Sequence, residues 1–251
     1  MSSEQNPFAD RVALVTGASG GIGAATARLL ADGGADVALT CHGHREEADE
    51  VAEQVRAAGR RARVFRADLA DRDVPERLCR QVVDELGRVD VLVAGAGAGQ
   101  QRSWEEVDRP LWDHTLEVNL NAPFFLAQQL LPGMVERGWG RILFLSSIAA
   151  LTGGVLGAHY AASKAALHGL THYLAGRTAD RGVTVNAVAP ALIGDTRMVP
   201  VDPSDPDALP LPIPVGRLGT PEEVADLAVA MLRNGYLTDK VITLDGGLHA
   251  C

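Results

Sequence analysis

Short apolar segments rich in β-branched residues alternate along the chain with segments of helical spacing. Seven apolar segments have the length of strands and occupy residues 12–17, 36–40, 63–69, 89–97, 141–147, 183–190 and 240–247. Between them, apolar residues recur every three or four positions, as in 21–35 and 45–59, which predicts amphipathic helices. Strands that alternate with helices form a parallel sheet covered on both faces. The pattern predicts one α/β domain over residues 1–251, with a doubly wound, seven-stranded parallel sheet.

The regular alternation stops at residues 195–216, which contain six of the thirteen prolines of the chain. Proline lacks an amide donor and fits neither a helix interior nor a central strand, so this segment is expected to be a surface loop. A long irregular segment inside a domain is usually either a functional lid or disordered. We favour a lid on the substrate side of the domain.

Composition and charge narrow the class of protein. The hydrophobic share of 47% and the charged share of 22% are those of an ordinary soluble globular domain. The formal net charge of −9 argues against a general nucleic-acid or membrane partner, since both need a basic surface. No apolar run is long enough to span a membrane, no secretory signal is recognisable, and the three scattered cysteines form no disulfide or metal pattern. The expectation is a reduced, cytoplasmic protein without a metal site.

A glycine-rich turn lies between the first predicted strand and the first predicted helix. In "TGASGGIG" (16–23), Gly17, Gly21 and Gly23 follow a G-x3-G-x-G spacing. Glycines there permit a tight turn and let a pyrophosphate approach main-chain N–H groups at the positive end of the helix. A turn without a ligand is the alternative, but the position between strand and amphipathic helix favours a dinucleotide site.

Two tyrosine–lysine pairs with a four-residue spacing are candidates for proton transfer, and they contain the only two lysines of the chain. On a helix this spacing puts both side chains on one face, with Cβ atoms about 5–6 Å apart. On a strand the same spacing is about 13 Å, too far for contact. Tyr160 and Lys164 lie in an Ala- and Leu-rich helical pattern, whereas Tyr236 opens a turn into the strand that begins with Lys240. The first pair is therefore the candidate, and Lys240 is expected to be a solvated charge.

The chemistry expected of this pair depends on the pKa of the phenol. A free phenol has a pKa of about 10, so proton transfer near neutrality needs that pKa lowered by roughly 3. An ammonium about 4 Å away supplies an effect of this size at an effective dielectric of about 20. We therefore expect Lys164 to lower the pKa of Tyr160.

The order of the motifs, TGxxxGIG followed by Tyr-x-x-x-Lys, resembles that of the short-chain dehydrogenase/reductase family. The resemblance covers the chain from about residue 10 to residue 247. It implies a Rossmann-type fold and hydride transfer between a nicotinamide and a substrate carbon, with Tyr160 handling the proton. It also implies that Ser147 polarises the substrate carbonyl and that Asn119 holds a water linking the lysine to the proton relay. Ser146 and Asn121 are the neighbouring alternatives.

The implied catalytic residues are thus Asn119, Ser147, Tyr160 and Lys164. The residues that the resemblance assigns to cofactor binding lie in the glycine turn, at the ends of later strands and in the Tyr–Lys pair. They are Gly17, Ser19, Gly20, Gly21, Ile22, Gly23, His42, Asp68, Leu69, Gly95, Tyr160, Lys164, Pro190, Ile193 and Thr196.

The end of the second strand favours NADP(H) over NAD(H). An acidic residue at this place binds the ribose 2′-OH and repels a 2′-phosphate. Cys41 stands where NAD-dependent relatives carry aspartate, and His42 where NADP-dependent relatives often carry arginine; His44 and Arg45 add positive charge capacity. Gly20, however, stands where many NADP-dependent relatives have a basic residue, so NAD(H) remains the alternative.

Three departures from the family pattern concern the cofactor loops. The family's Asn-Asn-Ala-Gly is replaced by Ala-Gly-Ala-Gly at 94–97, and its Pro-Gly is replaced by Pro190-Ala191. In addition, Thr196 comes one residue later than is common. The implied catalytic residues are unaffected by these changes.

Segments 178–190 and 214–232 resemble 3-oxoacyl-[acyl-carrier-protein] reductases and related polyketide ketoreductases. The expected function is NADP(H)-dependent reduction of a ketone to a secondary alcohol, on a carrier-linked, CoA-linked or polyketide-type substrate. Arg181 and Arg137 lie where such relatives dock an acyl-carrier protein, with plain solvated charges as the alternative. Competing functions are an NAD(H)-dependent dehydrogenase of a sugar or other secondary alcohol and a non-catalytic dinucleotide sensor. The family uses the helix that contains Tyr160 and its neighbour in dimer contacts, and the last strand in a second contact that makes tetramers, so a homotetramer is expected.

Overall fold

Strands and helices alternate along the part of the chain that the computed structural model describes, residues 6–196, 198 and 212–249. The seven strands are β1 (Val12–Thr16), β2 (Asp36–Cys41), β3 (Ala62–Arg66), β4 (Val91–Ala94), β5 (Gly140–Leu145), β6 (Val183–Pro190) and β7 (Lys240–Leu244). The α-helices are α1 (Gly21–Asp32), α2 (Arg45–Ala57), α3 (Val74–Leu86), α4 (Arg109–Leu116), α5 (Ala122–Glu136), α6 (Ala149–Thr152), α7 (Ala158–Thr178) and α8 (Pro221–Arg233). A π-helical turn, Glu117–Asn121, joins α4 to α5.

All seven strands form one parallel sheet in the order β3-β2-β1-β4-β5-β6-β7, which confirms the predicted fold. The five strands between the two edges are buried along their whole length. Continuous apolar runs of this kind are required where helices cover both faces of a sheet. In the edge strand β3, only the first and the fourth of the five residues are buried.

Two hydrophobic cores show which helices cover which face. One core joins the sheet to α1, α2 and α8 through residues such as Leu30, Val55 and Met231. The other joins it to α3, α5 and α7 through Leu78, Leu126 and Leu167. A sheet between two helical layers fixes the strand ends rigidly, so residues just after the strands are held in defined positions.

The crossover direction reverses between β1 and β4, which are neighbours in the sheet although five elements, α1 to α3 with β2 and β3, separate them in the chain. In a doubly wound sheet, a ligand binds in the crevice outside the carboxyl ends of the strands at such a point. Gly17 directly follows β1 and Gly95 directly follows β4, so the two glycine segments meet at this crevice.

At the amino ends of the central strands, opposite the crevice, the fully buried carboxylate of Asp90 pairs with several arginines. Asp90 accepts hydrogen bonds from Arg88 at 2.5 and 2.9 Å, and its Oδ1 lies 3.3 Å from Nε of Arg137. Arg137 also donates to the carbonyl of Val89 at 2.8 Å. The sequence-based expectation for Arg137, a docking arginine or a plain solvated charge, is therefore corrected. Its guanidinium is held by the protein at the amino ends of β4 and β5, away from the crevice.

Most of the segment predicted to be a lid, residues 195–216, lies outside the described residues. Its two ends, at Asp195–Thr196 and from residue 212 onward, are described, together with Met198. Within the described ranges, no helix combines the length and the apolar character needed to cross a membrane.

Candidate active site

The two tyrosine–lysine pairs lie in different local structures, as the sequence indicated. Tyr160 and Lys164 are both on α7, are 7% and 4% exposed, and the Lys164 Nζ lies 5.7 Å from the centroid of the Tyr160 ring. Tyr236 is 98% exposed in a turn, and Lys240 is exposed at the start of β7. Only the first pair can face a common buried ligand.

The ammonium of Lys164 is held by the end of β5. Its Nζ donates a hydrogen bond of 2.6 Å to the main-chain carbonyl of Leu145. Burial lowers the pKa of Lys164 to about 8, because a low-dielectric environment disfavours the charged form. At neutral pH the side chain is still mostly protonated, so it supplies a positive charge inside the site.

The pKa of the Tyr160 phenol is shifted in the direction opposite to the one expected. Burial raises the pKa of Tyr160, and a hydrogen bond with Ser147 offsets only part of this effect. The predicted lowering of the pKa of Tyr160 is therefore wrong for the structure as described, because removing the phenolate from water raises this pKa by more than the hydrogen bond with Ser147 lowers it. A raised pKa keeps the phenol protonated, which is the form that a proton donor needs.

Ser147 and Ser146, at the end of β5, have different partners because successive residues of an extended chain point to opposite sides. The Ser147 hydroxyl faces Tyr160 and also accepts a hydrogen bond of 3.2 Å from the amide of Ala149. The Ser146 hydroxyl lies 2.8 Å from Nε2 of His168 and donates to the carbonyl of Lys164 at 2.9 Å. Ser146 therefore fastens β5 to α7, and Ser147 is left as the hydroxyl beside the phenol.

Asn119 is fully buried in the π-helical turn, and its side-chain hydrogens are all in use. Its Oδ1 accepts from the amide of Ala98 at 2.7 Å, while Nδ2 donates to the carbonyl of Ala98 at 2.8 Å and to Ser163 Oγ at 3.0 Å. The Ser163 hydroxyl in turn donates to the carbonyl of Tyr160 at 2.7 Å. Asn121, the sequence-based alternative, bonds to Glu117 instead.

These contacts identify Ser163 as a residue that the sequence analysis missed, although it directly precedes Lys164. The amide of Asn119 and the ammonium of Lys164 also converge near one glycine: a Cβ built on Gly97 would lie 3.6 Å from both Asn119 Oδ1 and Lys164 Nζ. The side chains of Ser147, Tyr160, Lys164 and Asn119 thus form a polar cluster behind the crevice.

Two adjoining clefts follow the carboxyl ends of the strands. The catalytic cleft, of about 450 Å³, contains Ser147, Tyr160 and Lys164, and the outer cleft, of about 310 Å³, lies over the ends of β2 and β3. Residues common to both are Gly17, Ser19, Ala96 and Gly97. Together the clefts form one elongated groove, and each of the predicted cofactor contacts lines one or the other.

The narrow middle of this groove requires glycine. Gly17 has a φ of +70°, and a Cβ there would lie 2.9 Å from Ala96 Cα. A Cβ on Gly23 would lie 2.3 Å from the carbonyl of Gly17, and one on Gly95 would lie 2.9 Å from the carbonyl of Thr16. Contacts this short leave no room for a Cβ at these three positions. In addition, the N-terminus of α1 has no side-chain cap. The glycine cradle therefore fits a pyrophosphate.

The segment 94–97, which departs from the family pattern, is held in place by a hydroxyl that the sequence analysis did not single out. Thr16 Oγ1 accepts hydrogen bonds of 3.0 Å from the amides of both Gly95 and Ala96. These bonds hold the segment after β4 against the end of β1 without any asparagine side chain. At this segment, the two clefts are separated only by main chain and small side chains.

The outer cleft contains the residues on which the expected preference for NADP(H) rests. Nε2 of His42 lies 3.6 Å from Oδ2 of Asp68, and both side chains are exposed. Cys41 is buried, and burial raises the pKa of its thiol, so it adds no charge. Arg45 is paired with Asp49 at 2.8 Å. His114, which sequence reasoning missed, reaches the same cleft from α4.

The fold and this groove define an α/β dinucleotide-binding oxidoreductase. The sequence model for short chain dehydrogenases matches residues 11–206. The chain therefore belongs to the short-chain dehydrogenase family, whose members are NAD(P)-dependent oxidoreductases.

Characterised relatives are similar over almost the whole chain. The acetoacetyl-CoA reductase of Allochromatium vinosum is 36% identical over 95% of this chain and 98% of its own. The cis-4-hydroxycyclohexanecarboxylate dehydrogenase of Sinomonas cyclohexanicum is 40% identical over 97% of this chain and 98% of its own. A crystal structure of a blue fluorescent protein from a metagenomic library in complex with NADPH superposes with a TM-score of 0.90, at 36% identity, over 98% of this chain and 100% of that one. Since acetoacetyl-CoA is a 3-oxoacyl thioester, the chain resembles the 3-oxoacyl reductases of its family.

Proposed function

We propose that this protein reduces a ketone to a secondary alcohol with NADPH, and that its substrate is a 3-oxoacyl thioester or a related polyketide-type ketone. The observation that carries the proposal is the buried cluster of Ser147, Tyr160 and Lys164 at the wall of the catalytic cleft. A hydroxyl, a protonated phenol and an ammonium at one place are the groups that carbonyl reduction needs.

We assign each of these residues the role that the resemblance to the family implies. When bound, the nicotinamide supplies or accepts the hydride. The Ser147 hydroxyl polarises the substrate carbonyl, and Tyr160 donates the proton to the developing alkoxide. Lys164 stabilises the phenolate left on Tyr160, and Leu145 keeps the ammonium in place. Asn119 fixes the main chain at Ala98, and the neighbouring Gly97 lies close to Lys164.

The proposed cofactor residues all line the groove. The glycine cradle of Gly17, Gly21 and Gly23 would hold the pyrophosphate at the N-terminus of α1, and Asp68 with Leu69 would face the adenine end. Pro190, Ile193 and Thr196 line the catalytic cleft, where they would contact the nicotinamide. NADP(H) rather than NAD(H) is supported by His42 and by the absence of a carboxylate at positions 41 and 42.

The substrate class is supported by the rest of the catalytic cleft. Its outer wall contains Ile148, Ala149, Val155, Leu156 and Leu248, which are apolar. Among the described lining residues, Lys164 is the only cation, and it is buried beside Tyr160. A neutral acyl chain fits this wall better than a carboxylate, which would need a counter-charge. The acetoacetyl-CoA reductase supports the same class.

A second candidate, oxidation of an alicyclic or other secondary alcohol, is favoured by the identity of 40% to cis-4-hydroxycyclohexanecarboxylate dehydrogenase. The experiment that separates the candidates is a steady-state assay of the purified protein. Acetoacetyl-CoA and a neutral 3-oxo ester would be reduced with NADPH or NADH, and cis-4-hydroxycyclohexanecarboxylate would be oxidised with NADP+ or NAD+. We expect the highest kcat/KM for acetoacetyl-CoA with NADPH. Faster turnover of the hydroxy acid would overturn the proposed substrate, and no turnover of any of them would favour a dinucleotide sensor.

Assembly and carrier docking are further parts of the proposal. The small-residue face of α7, at Ala161, Ala162, Ala165, Ala166 and Gly169, is exposed or half-buried in the single chain, which supports a helix-to-helix contact within a homotetramer. Light scattering would show a monomeric mass if this is wrong. Arg181, about half-exposed, remains the candidate for contact with an acyl-carrier protein. An Arg181→Ala variant should then lose affinity for carrier-linked but not for CoA-linked substrate.

A further inference from the structure

Three imidazoles and one carboxylate line the outer cleft. They are His42 after β2, His44 before α2, His114 on α4 and Asp68 after β3. Only seven histidines occur in the chain, so nearly half of them lie at this one place. Imidazole is the side chain whose charge normally changes between pH 5 and 8, whereas an ordinary carboxylate is anionic throughout this range. Imidazole is therefore the side chain that could supply positive charge beside Asp68 in the outer cleft.

Two arginines lie near the cleft, and each is bonded to a neighbouring group. Nε of Arg45 pairs with Asp49 at 2.8 Å, and its Nη1 donates to the carbonyl of Val64 at 3.3 Å. Nε of Arg66 donates to the carbonyl of His42 at 3.2 Å. Neither of these arginines is among the residues that line the cleft. The lining itself relies on imidazoles for positive charge.

Of the three imidazoles, His42 is the one opposed by the carboxylate. Its Nε2 lies 3.6 Å from Oδ2 of Asp68, so a protonated His42 neutralises Asp68 and a neutral His42 leaves it exposed. His44 is already engaged with Glu47, with Nδ1 and Oε1 3.1 Å apart. His114 adds a third imidazole from the facing helix.

We propose that the preference of this protein for the 2′-phosphorylated over the unphosphorylated dinucleotide depends on pH, and that His42 is its main determinant. At lower pH, imidazolium at His42 binds the 2′-phosphate and cancels the charge of Asp68. At higher pH, a neutral His42 offers the phosphate no cation, and the Asp68 carboxylate is no longer cancelled and repels it. The inference rests on the proposed function, because it assumes that the outer cleft holds the adenosine half of NAD(P)(H).

The test is calorimetric binding of two ligands that differ only in the 2′-phosphate, ADP-ribose and 2′-phospho-ADP-ribose, at pH 6.5, 7.5 and 8.5 and constant ionic strength. These ligands lack the nicotinamide, so titration of Lys164 and Tyr160 does not enter the ratio. A phosphate monoester has its second pKa near 6 and is mostly a dianion over this range. We expect the ratio of the two affinities to fall about tenfold from pH 6.5 to 8.5.

Two variants of His42 and one control variant test whether His42 causes the pH dependence of the affinity ratio. His42→Arg keeps a cation at every pH, so the preference for the phosphorylated ligand should stay high across the range. His42→Asn removes the charge, and the preference should be low already at pH 6.5. His172→Asn, on the exposed side of α7 where it pairs with Asp239, should leave the ratio and its pH dependence unchanged.

The outcomes separate this inference from the proposed function. If both ligands bind and their affinity ratio is the same at all three pH values, the inference is wrong and the dinucleotide site stands. If the pH dependence persists unchanged in His42→Asn, the assignment to His42 is wrong. If neither ligand binds the wild-type protein, the inference and the proposed function are both wrong.

Discussion

The ammonium of Lys164 donates a hydrogen bond of 2.6 Å to the carbonyl of Leu145, the last residue of β5. Ser147 follows two residues later, so one strand end positions both the ammonium and the hydroxyl near Tyr160. The geometry also explains why the chain, otherwise rich in arginine, has a lysine at this position. A compact ammonium fits a buried site with one carbonyl acceptor, whereas a planar guanidinium has five donors to satisfy.

The pH dependence of ketone reduction should report the state of Lys164. The lowered pKa of about 8 means that the ammonium is present below pH 8 and is lost as the pH rises through it. We expect kcat/KM for acetoacetyl-CoA to decline above about pH 8, and Lys164→Ala to be slow and to lack this decline. Rates measured from pH 6 to 10 check this, with Lys240→Ala as the control that keeps the wild-type profile. The same decline in Lys164→Ala would assign it to another group.

Replacement of the phenol should remove the proton donor without disturbing the fold. We expect Tyr160→Phe to lower kcat for ketone reduction by about 100-fold or more, the usual contribution of general acid catalysis. Binding of NADP+ and the midpoint of thermal unfolding should change little, because the phenyl ring keeps the packing. The matched control is Tyr236→Phe, since Tyr236 is 98% exposed. Near-normal rates in Tyr160→Phe would refute the assignment.

Local sequence patterns predicted the elements that position the site. All seven strands were found, because a fully covered parallel sheet needs continuous apolar runs, as in β6 (Val183–Pro190). The glycine turn at 16–23 was recognisable because the tight turn and close approach depend on neighbouring residues. The distinction between the helical Tyr160–Lys164 pair and the exposed Tyr236 turn also followed from local propensity.

What the sequence did not predict depends on contacts between distant segments. The hydrogen bonds from Asn119 to Ala98 and Ser163 join residues 21 and 44 positions apart. The raised pKa of Tyr160 depends on how deeply tertiary packing buries the ring, which no spacing rule gives. Arg137 was misjudged for the same reason, because its partner Asp90 is brought to it by the pairing of β4 with β5.

The glycine cradle should respond to a single methyl group. A Cβ on Gly23 would lie 2.3 Å from the carbonyl of Gly17, so the turn must move to accept alanine. We expect Gly23→Ala to weaken NADP+ binding at least tenfold and to cost about 1–3 kcal/mol of unfolding free energy. Gly176→Ala is the control: this glycine is exposed on α7 with nothing within 4 Å of its Cβ position. It should be neutral or stabilising by up to about 1 kcal/mol. Calorimetry and urea denaturation measure both effects.

The stability of the fold should decrease in mild acid because of His159, which directly precedes Tyr160. The ring is fully buried, and neither nitrogen forms a hydrogen bond of normal geometry among the described residues. Burial lowers the pKa of His159, and a weaker interaction with the main chain of Gln100 offsets this in part. A lowered pKa means that the unfolded chain binds the proton first, so stability is retained above about pH 6.5 and lost as the pH falls through the folded-state value.

The measurement is the free energy of unfolding between pH 7.5 and 5, in urea, for the wild type and His159→Leu. We expect the wild-type stability to fall more steeply toward pH 5 than that of the variant, because leucine has no proton to gain. His172→Leu serves as the control, since His172 is exposed on the same helix and pairs with Asp239 at 2.6 Å. Equal slopes for wild type and His159→Leu would show that the buried imidazole is not the acid-sensitive group.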